Sequence, residues 1–170
     1  MVAVVATTAE AIPVRRDETA QSGFAMIVEQ FLQQSLDESA DKRRRAARLR
    51  GRMAMTASDH GYTVTLVFAE DGVSILDGVA EPLDATIAGP YQTLVDLLQG
   101  DDSPIRAHLG RRIKVKSRLR KLFFPLHVHN LMKLDNEQQS DHSDVFAGVR
   151  EAALVGGALV SAFAILMYAT

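Results

Sequence analysis

His127 and His129 stand two residues apart in SRLRKLFFPLHVHNLMKL, and imidazoles are the commonest metal ligands. Helix neighbours that share a face lie three or four residues apart, so at a spacing of two the rings diverge. They cannot hold one metal without other ligands. Asp59 and His60 form a second titratable pair in a predicted turn, but no GxSxG serine and no phosphate-cradling glycine loop accompanies them. The chain has no cysteine, which removes thiol nucleophiles, thiolate zinc sites and cysteine-held iron–sulfur clusters together. The carboxylates show no spacing that marks an acid–base pair. The expectation is a protein that is not an enzyme, with no catalytic residues, no metal and no cofactor.

What chemistry remains is apolar and electrostatic. Charge runs in bands: residues 42–52 hold seven basic groups and no acidic ones, and residues 111–121 again hold seven and none. The net charge is nonetheless only −2, and a near-neutral total does not suit a nucleic-acid binder, for which a broad basic excess is usual. Arg43, Arg44, Arg45 and Arg48 from one band, with Lys114, Lys116, Arg118 and Lys121 from the other, are candidates for contact with an anionic membrane surface.

Several elements must position these residues. In SGFAMIVEQFLQQSLDES the apolar positions recur at helical spacing behind a Ser22 N-cap, and ADKRRRAARLRGR continues in helix formers as far as Gly51, with its charges toward water. Alternation then replaces the helical period. RMAMTAS, GYTVTLVFA, VSIL, DATIAG and RRIKVKS read as five strands, with Asp71-Gly72 and Asp77-Gly78 as turns. Between the last two strands lie a helix in PYQTLVDLLQG, bounded by Pro90 and Gly100, and a short one opened by Ser103 and Pro104. A final helix is expected from about Ser117 to Leu134, kinked at Pro125.

The stretch DATIAGPYQTLVDLLQGDDSPIRAHLGRRIKVKSRLRKL carries a resemblance. Asp84, Thr86 and Ile87; Leu97, Leu98 and Gly100; Pro104 and Ala107; and Gly110, Ile113, Lys114, Val115 and Lys116 match the pattern D-x-T-I, L-L-x-G, P-x-x-A, G-x-x-I-K-V-K. Over about residues 22–134 the chain resembles the sterol carrier protein 2 family of small lipid-binding domains. It departs where that family usually has Gly-Asp, here Ser117-Arg118; Ser can still cap a helix. The resemblance implies an α+β fold: a five-stranded, mostly antiparallel sheet with helices packed on one face, enclosing an apolar cavity. A sheet covered by helices that do not fully meet it leaves room for an elongated hydrophobic guest. Candidate lining residues are Phe24, Ile27, Phe31, Leu66, Phe68, Leu122, Phe123, Leu126 and Met132.

Residues 1–21 read as a mobile arm without the features of a secretory signal, residues 135–149 as a polar linker, and residues 150–170 as a C-terminal transmembrane tail anchor. From Ala152 to Thr170 no charge occurs, a run of nineteen residues that as a helix would extend ~28 Å. Ala153, Gly157 and Ser161 place small side chains on one stripe of it. Arg150 precedes the run and no basic residue follows, which favours a single-pass membrane protein with its soluble domain on the cytoplasmic side.

The expected function is a membrane-tethered lipid-binding or lipid-transfer module. Its guest would be sterol-like, fatty-acyl or, because bacterial relatives of the family include accessory factors of ubiquinone biosynthesis, isoprenoid quinone-like. The bilayer is engaged through residues 152–170, and a membrane protein complex is a further partner. The alternative is a non-catalytic structural or assembly subunit of such a complex, using the same fold as a docking domain.

Overall fold

Alternating residues of GYTVTLVFA form the centre of the sheet. The computed structural model describes residues 12–18 and 20–134. In it β3 (Tyr62–Ala69) pairs antiparallel with β2 (Gly51–Ala57) and with β4 (Gly72–Asp77). β5 (Ala85–Gly89) runs parallel to β2, and β6 (Lys114–Ser117) pairs antiparallel with β5. A sixth strand, β1 (Val14–Arg16), runs parallel to β4. The sheet is therefore six-stranded and mixed, in the order β1-β4-β3-β2-β5-β6, and this corrects the expected count of five. The additional strand comes from the segment read as a mobile arm. Its three residues, two of them exposed arginines, are too few to show an alternation in sequence.

Register puts the apolar residues on one face. Met53 lies opposite Leu66 on one side and Ala85 on the other, Met55 opposite Val64 and Ile87, and Ile87 opposite Val115; all are buried. The reverse face carries Arg52, Thr56, Thr65, Thr86, Lys114 and Lys116. Thr65 is fully buried there because the chain leaving β4 passes over it: its hydroxyl donates to Gly78 O at 2.7 Å and accepts from Ala80 N at 3.1 Å.

Helices cover the apolar face. In α1 (Gly23–Glu38) the Ser22 hydroxyl accepts from Ala25 N at 3.1 Å, the expected cap, and is itself fastened to Asp77 at 2.6 Å. Phe24, Val28, Leu32 and Leu36 repeat every four residues and are buried, so α1 packs along β1, β3 and β4 and against the last helix. α3 (Tyr91–Gln99) ends at Gly100, whose φ of 84° is left-handed, a conformation glycine adopts without strain. α4 (Pro104–Leu109) follows.

Two helix expectations need correction. The basic stretch does not continue α1: Ser39 is extended and its side chain accepts from Lys42 N, opening a separate helix, α2 (Ala40–Arg48). Nor do all its charges face water. Lys42 is buried and its ammonium donates to Ser35 Oγ at 2.9 Å, while Arg43 donates to Leu36 O at 2.7 Å, satisfying a carbonyl at the end of α1. At the other end of the chain, Pro125 does not kink a helix beginning at Ser117. β6 ends there, a 3-10 turn spans Leu119–Lys121, and α5 (Phe124–Met132) starts with Pro125 in its first turn, where a missing N–H costs no hydrogen bond. Ser117 does not act as the cap, its hydroxyl being buried without a partner.

Among the described residues no helix is long and apolar enough to cross a membrane. The uncharged run 152–170 and the linker before it lie outside those residues.

Candidate lipid-binding site

The D-x-T-I aspartate fixes the sheet edge on which the site rests. Asp84 Oδ2 accepts from Arg52 N at 3.0 Å, Asp84 N donates to Arg52 O at 2.9 Å, and Arg118 N donates to Asp84 O at 2.9 Å. One residue thus ties β2, β5 and the exit of β6. Gly51 makes room beside it, since a Cβ there would come within 2.7 Å of Asp84 Oδ2 and 2.9 Å of the Phe124 ring.

Above this half of the sheet lies an apolar cavity of about 60 Å³. Met53, Met55, Ile87 and Val115 form its floor; Leu94, Leu97 and Leu98 of α3 and Pro104, Ile105 and His108 of α4 form one wall. Leu122, Phe123, Pro125, Leu126, Val128, His129 and Met132, in and just before α5, form the other. Phe123 lines the cavity and is 49% exposed, which places the mouth at the start of α5. The space is smaller than ordinary ligand pockets, which run to about 300 Å³ and above.

Of the residues expected to line a cavity, the structure brings together Leu122, Phe123, Leu126 and Met132. Phe24, Leu66 and Phe68 are buried elsewhere in the core: Phe24 sits 5.8 Å from the Tyr91 ring and Phe68 meets Phe124 edge-on at 6.0 Å. Ile27 and Phe31 are half-buried on α1. The reason is topological, because α1 covers the β1–β4–β3 half of the sheet and the gap lies over the β2–β5–β6 half. Sequence reading missed the floor and the α3 wall. Their signal was present, since Leu97, Leu98 and Val115 belong to the very motifs that carried the resemblance.

Among the described residues, two imidazoles are the only polar side chains in the lining. His129 is held neutral, its pKa lowered to about 4 first by burial and then by the charge of Lys133. His108 has a buried Nδ1 with no hydrogen-bond partner. His127, by contrast, is exposed, as divergence at a spacing of two requires. Asp59 and His60 have structural contacts: the carboxylate accepts from Tyr91 N at 2.8 Å in the first turn of α3, and the ring stacks on Tyr62. Among the described residues no group of three or more histidines and carboxylates could hold a metal ion.

The basic bands meet beside the mouth. Lys121 Nζ donates to Arg50 O and lies 5.4 Å from the centre of the Phe124 ring, joining the 111–121 band to the end of the 42–52 band. Arg118 approaches Asp84, whereas Lys114 and Lys116 are exposed on the reverse face of β6, opposite the cavity. Arg44 and Arg45 pair with Asp41 on the exposed side of α2, where Arg48 is also exposed. Within the 111–121 band, Leu119 is 69% exposed.

Residues 28–117 match the model of the SCP-2 sterol transfer family. The chain belongs to that family. Among solved structures, a UbiJ–SCP2 ubiquinone synthesis protein superposes with a TM-score of 0.51 at 17% identity, over 65% of this chain and 95% of the other. A sterol carrier protein 2 structure aligns with a TM-score of 0.46 at 20% identity, over 64% and 90%, and the sterol carrier protein domain 2 of Helicoverpa armigera with 0.47 at 15%, over 65% and 92%. No curated protein matches the sequence. The sterol-transfer match ends at Ser117, so α5, which supplies one wall and the mouth, lies beyond it.

Proposed function

We infer that this chain is a lipid-binding or lipid-transfer module working at a membrane, taking one elongated hydrophobic molecule between the sheet and α3–α5. The observation that carries the reading is the cavity itself: an almost wholly apolar lining that opens at a half-exposed phenylalanine beside a dense basic band. Membership in a sterol transfer family supports it. A sterol-like, fatty-acyl or isoprenoid quinone-like guest is compatible with such a lining, and the shared fold of a ubiquinone synthesis protein makes the last a natural candidate. Among the described residues the lining offers two imidazoles and no carboxylate or nucleophile, which favours a carrier over a catalyst. Residues 152–170 would hold the protein to the bilayer, with the described domain on the cytoplasmic side.

Fluorescent-lipid transfer between vesicles tests this. The protein should accelerate movement of a labelled sterol or prenyl lipid from donor to acceptor vesicles in proportion to its concentration. A second reading, a docking subunit of a membrane complex, is favoured by the small volume of the cavity. Absence of both transfer and binding, with stoichiometric retention of a partner protein, would decide for it.

A further inference from the structure

The cavity wall is apolar except at His108 and His129, and the two differ from the rest of the lining in a way packing does not explain. A leucine at position 108 would serve an ordinary core better, because a buried polar atom without a partner is destabilising. His108 Nδ1 is such an atom. Its helix α4 and the wall α5 are the two elements that carry the imidazoles into the lining, so the orphaned group belongs to the site itself. His129 lies six residues beyond the half-exposed Phe123, about 9 Å deeper along α5 at the usual helical rise.

We propose that His108 and His129 receive the polar end of the lipid, and that this end is an uncharged oxygen group, a hydroxyl or a ring carbonyl. The proposal rests on the lipid-binding reading and narrows its ligand class. A neutral imidazole carries one donor and one acceptor, and can meet a hydroxyl in either sense or donate to a carbonyl. A carboxylate is different: buried here it would bring a full negative charge into an apolar lining that, among the described residues, contains no lysine or arginine, the charge of Lys133 reaching His129 from outside that lining. The guest would enter head-first past Phe123, leaving its hydrocarbon along Leu122 and Leu126. Sterols, long-chain alcohols and prenylated phenols or quinones fit this description, and ionised fatty acids do not.

Three pyrene-labelled probes of one chain length, ending in hydroxyl, carboxylate or methyl, separate the possibilities in titrations of the full chain in detergent near neutral pH. The hydroxyl probe should bind roughly five-fold more tightly than the methyl probe, the ratio expected for about one net hydrogen bond, and the carboxylate probe more weakly than the hydroxyl. His108→Leu and His129→Leu should each reduce the ratio of hydroxyl-probe to methyl-probe affinity, with circular dichroism showing that the variant is folded. His108→Asn, which keeps a donor and an acceptor, should retain part of the preference. Equal affinity for hydroxyl and methyl probes, a preference that survives both leucine variants, or carboxylate binding as tight as hydroxyl would overturn the head-group proposal and leave the lipid-binding reading standing. Failure of all three probes to bind would overturn both.

Discussion

His129 carries a pH dependence that can be measured apart from any ligand. In the fold its pKa is about 4, against 6.5 in water, so between those values the unfolded chain takes up a proton that the folded chain refuses. The stability this ring contributes is whole above about pH 6.5 and is lost as pH falls toward about 4, up to roughly 3 kcal/mol across the window. Denaturant titrations should show that loss for the natural chain, and His129→Leu should flatten the acid slope. An unchanged slope in the variant would mean that His129 is hydrated in the fold. The sequence shows why such a role is hard to foresee. A spacing of two correctly separated His129 from His127, but burial of the first and exposure of the second depend on which way α5 turns toward the sheet. His108 gave no signal at all, standing alone in a short helix whose pattern said nothing about its neighbours.

At the scale of elements, the strands were legible and the joints were not. Alternation located β2 to β6 because one face of the sheet is buried and the other is wet, whereas β1 owes its place to edge pairing with β4, which three residues cannot advertise. Strong helix formers on both sides of Ser39 hid the break between α1 and α2, which a side-chain cap creates. Pro125 was visible as a helix irregularity, but choosing between a kink and a start required knowing that β6 ends just before it. The site shows the same limit: Phe24, Ile27 and Phe31 are apolar positions of an amphipathic helix, and their spacing does not say which half of the sheet that helix covers. The corrected placement separates two kinds of variant. Phe123→Asp alters a half-exposed residue at the mouth and should leave circular dichroism and stability nearly unchanged while weakening lipid binding several-fold. Leu126→Asp puts a carboxylate into the wall without a partner and should weaken binding more, at a stability cost of about 1–3 kcal/mol. Unchanged binding by folded forms of both would exclude α5 as a wall of the site.

For the whole molecule, the meeting of the basic bands beside the mouth gives the domain a face. Arg118, Arg120 and Lys121 flank the exposed Leu119 and Phe123, and each cation close to an anionic surface contributes about 1 kcal/mol, so a handful can orient a domain at such a surface. A chain ending at Ser140 should bind anionic vesicles more tightly than neutral ones, release them as salt shortens the screening length, and lose the preference when Arg118, Arg120 and Lys121 become Glu. Arg44→Glu with Arg45→Glu tests whether α2 shares the contact, and Arg43 should be left intact because it holds the end of α1. Binding indifferent to salt and to lipid charge would move these residues from the membrane to a protein partner. The full chain should stay with membranes in alkaline carbonate; release would refute a spanning tail.

A single lipid is expected to occupy the space between the β2–β5–β6 half of the sheet and α3–α5. Native mass spectrometry of the full chain purified in mild detergent, with lipid extraction from the same sample, tests it most directly. One recurrent, uncharged lipid per chain is expected, present in the natural sequence and depleted in a folded Leu126→Asp variant. A chain that carries no lipid, or the same lipid complement in both proteins, would contradict it.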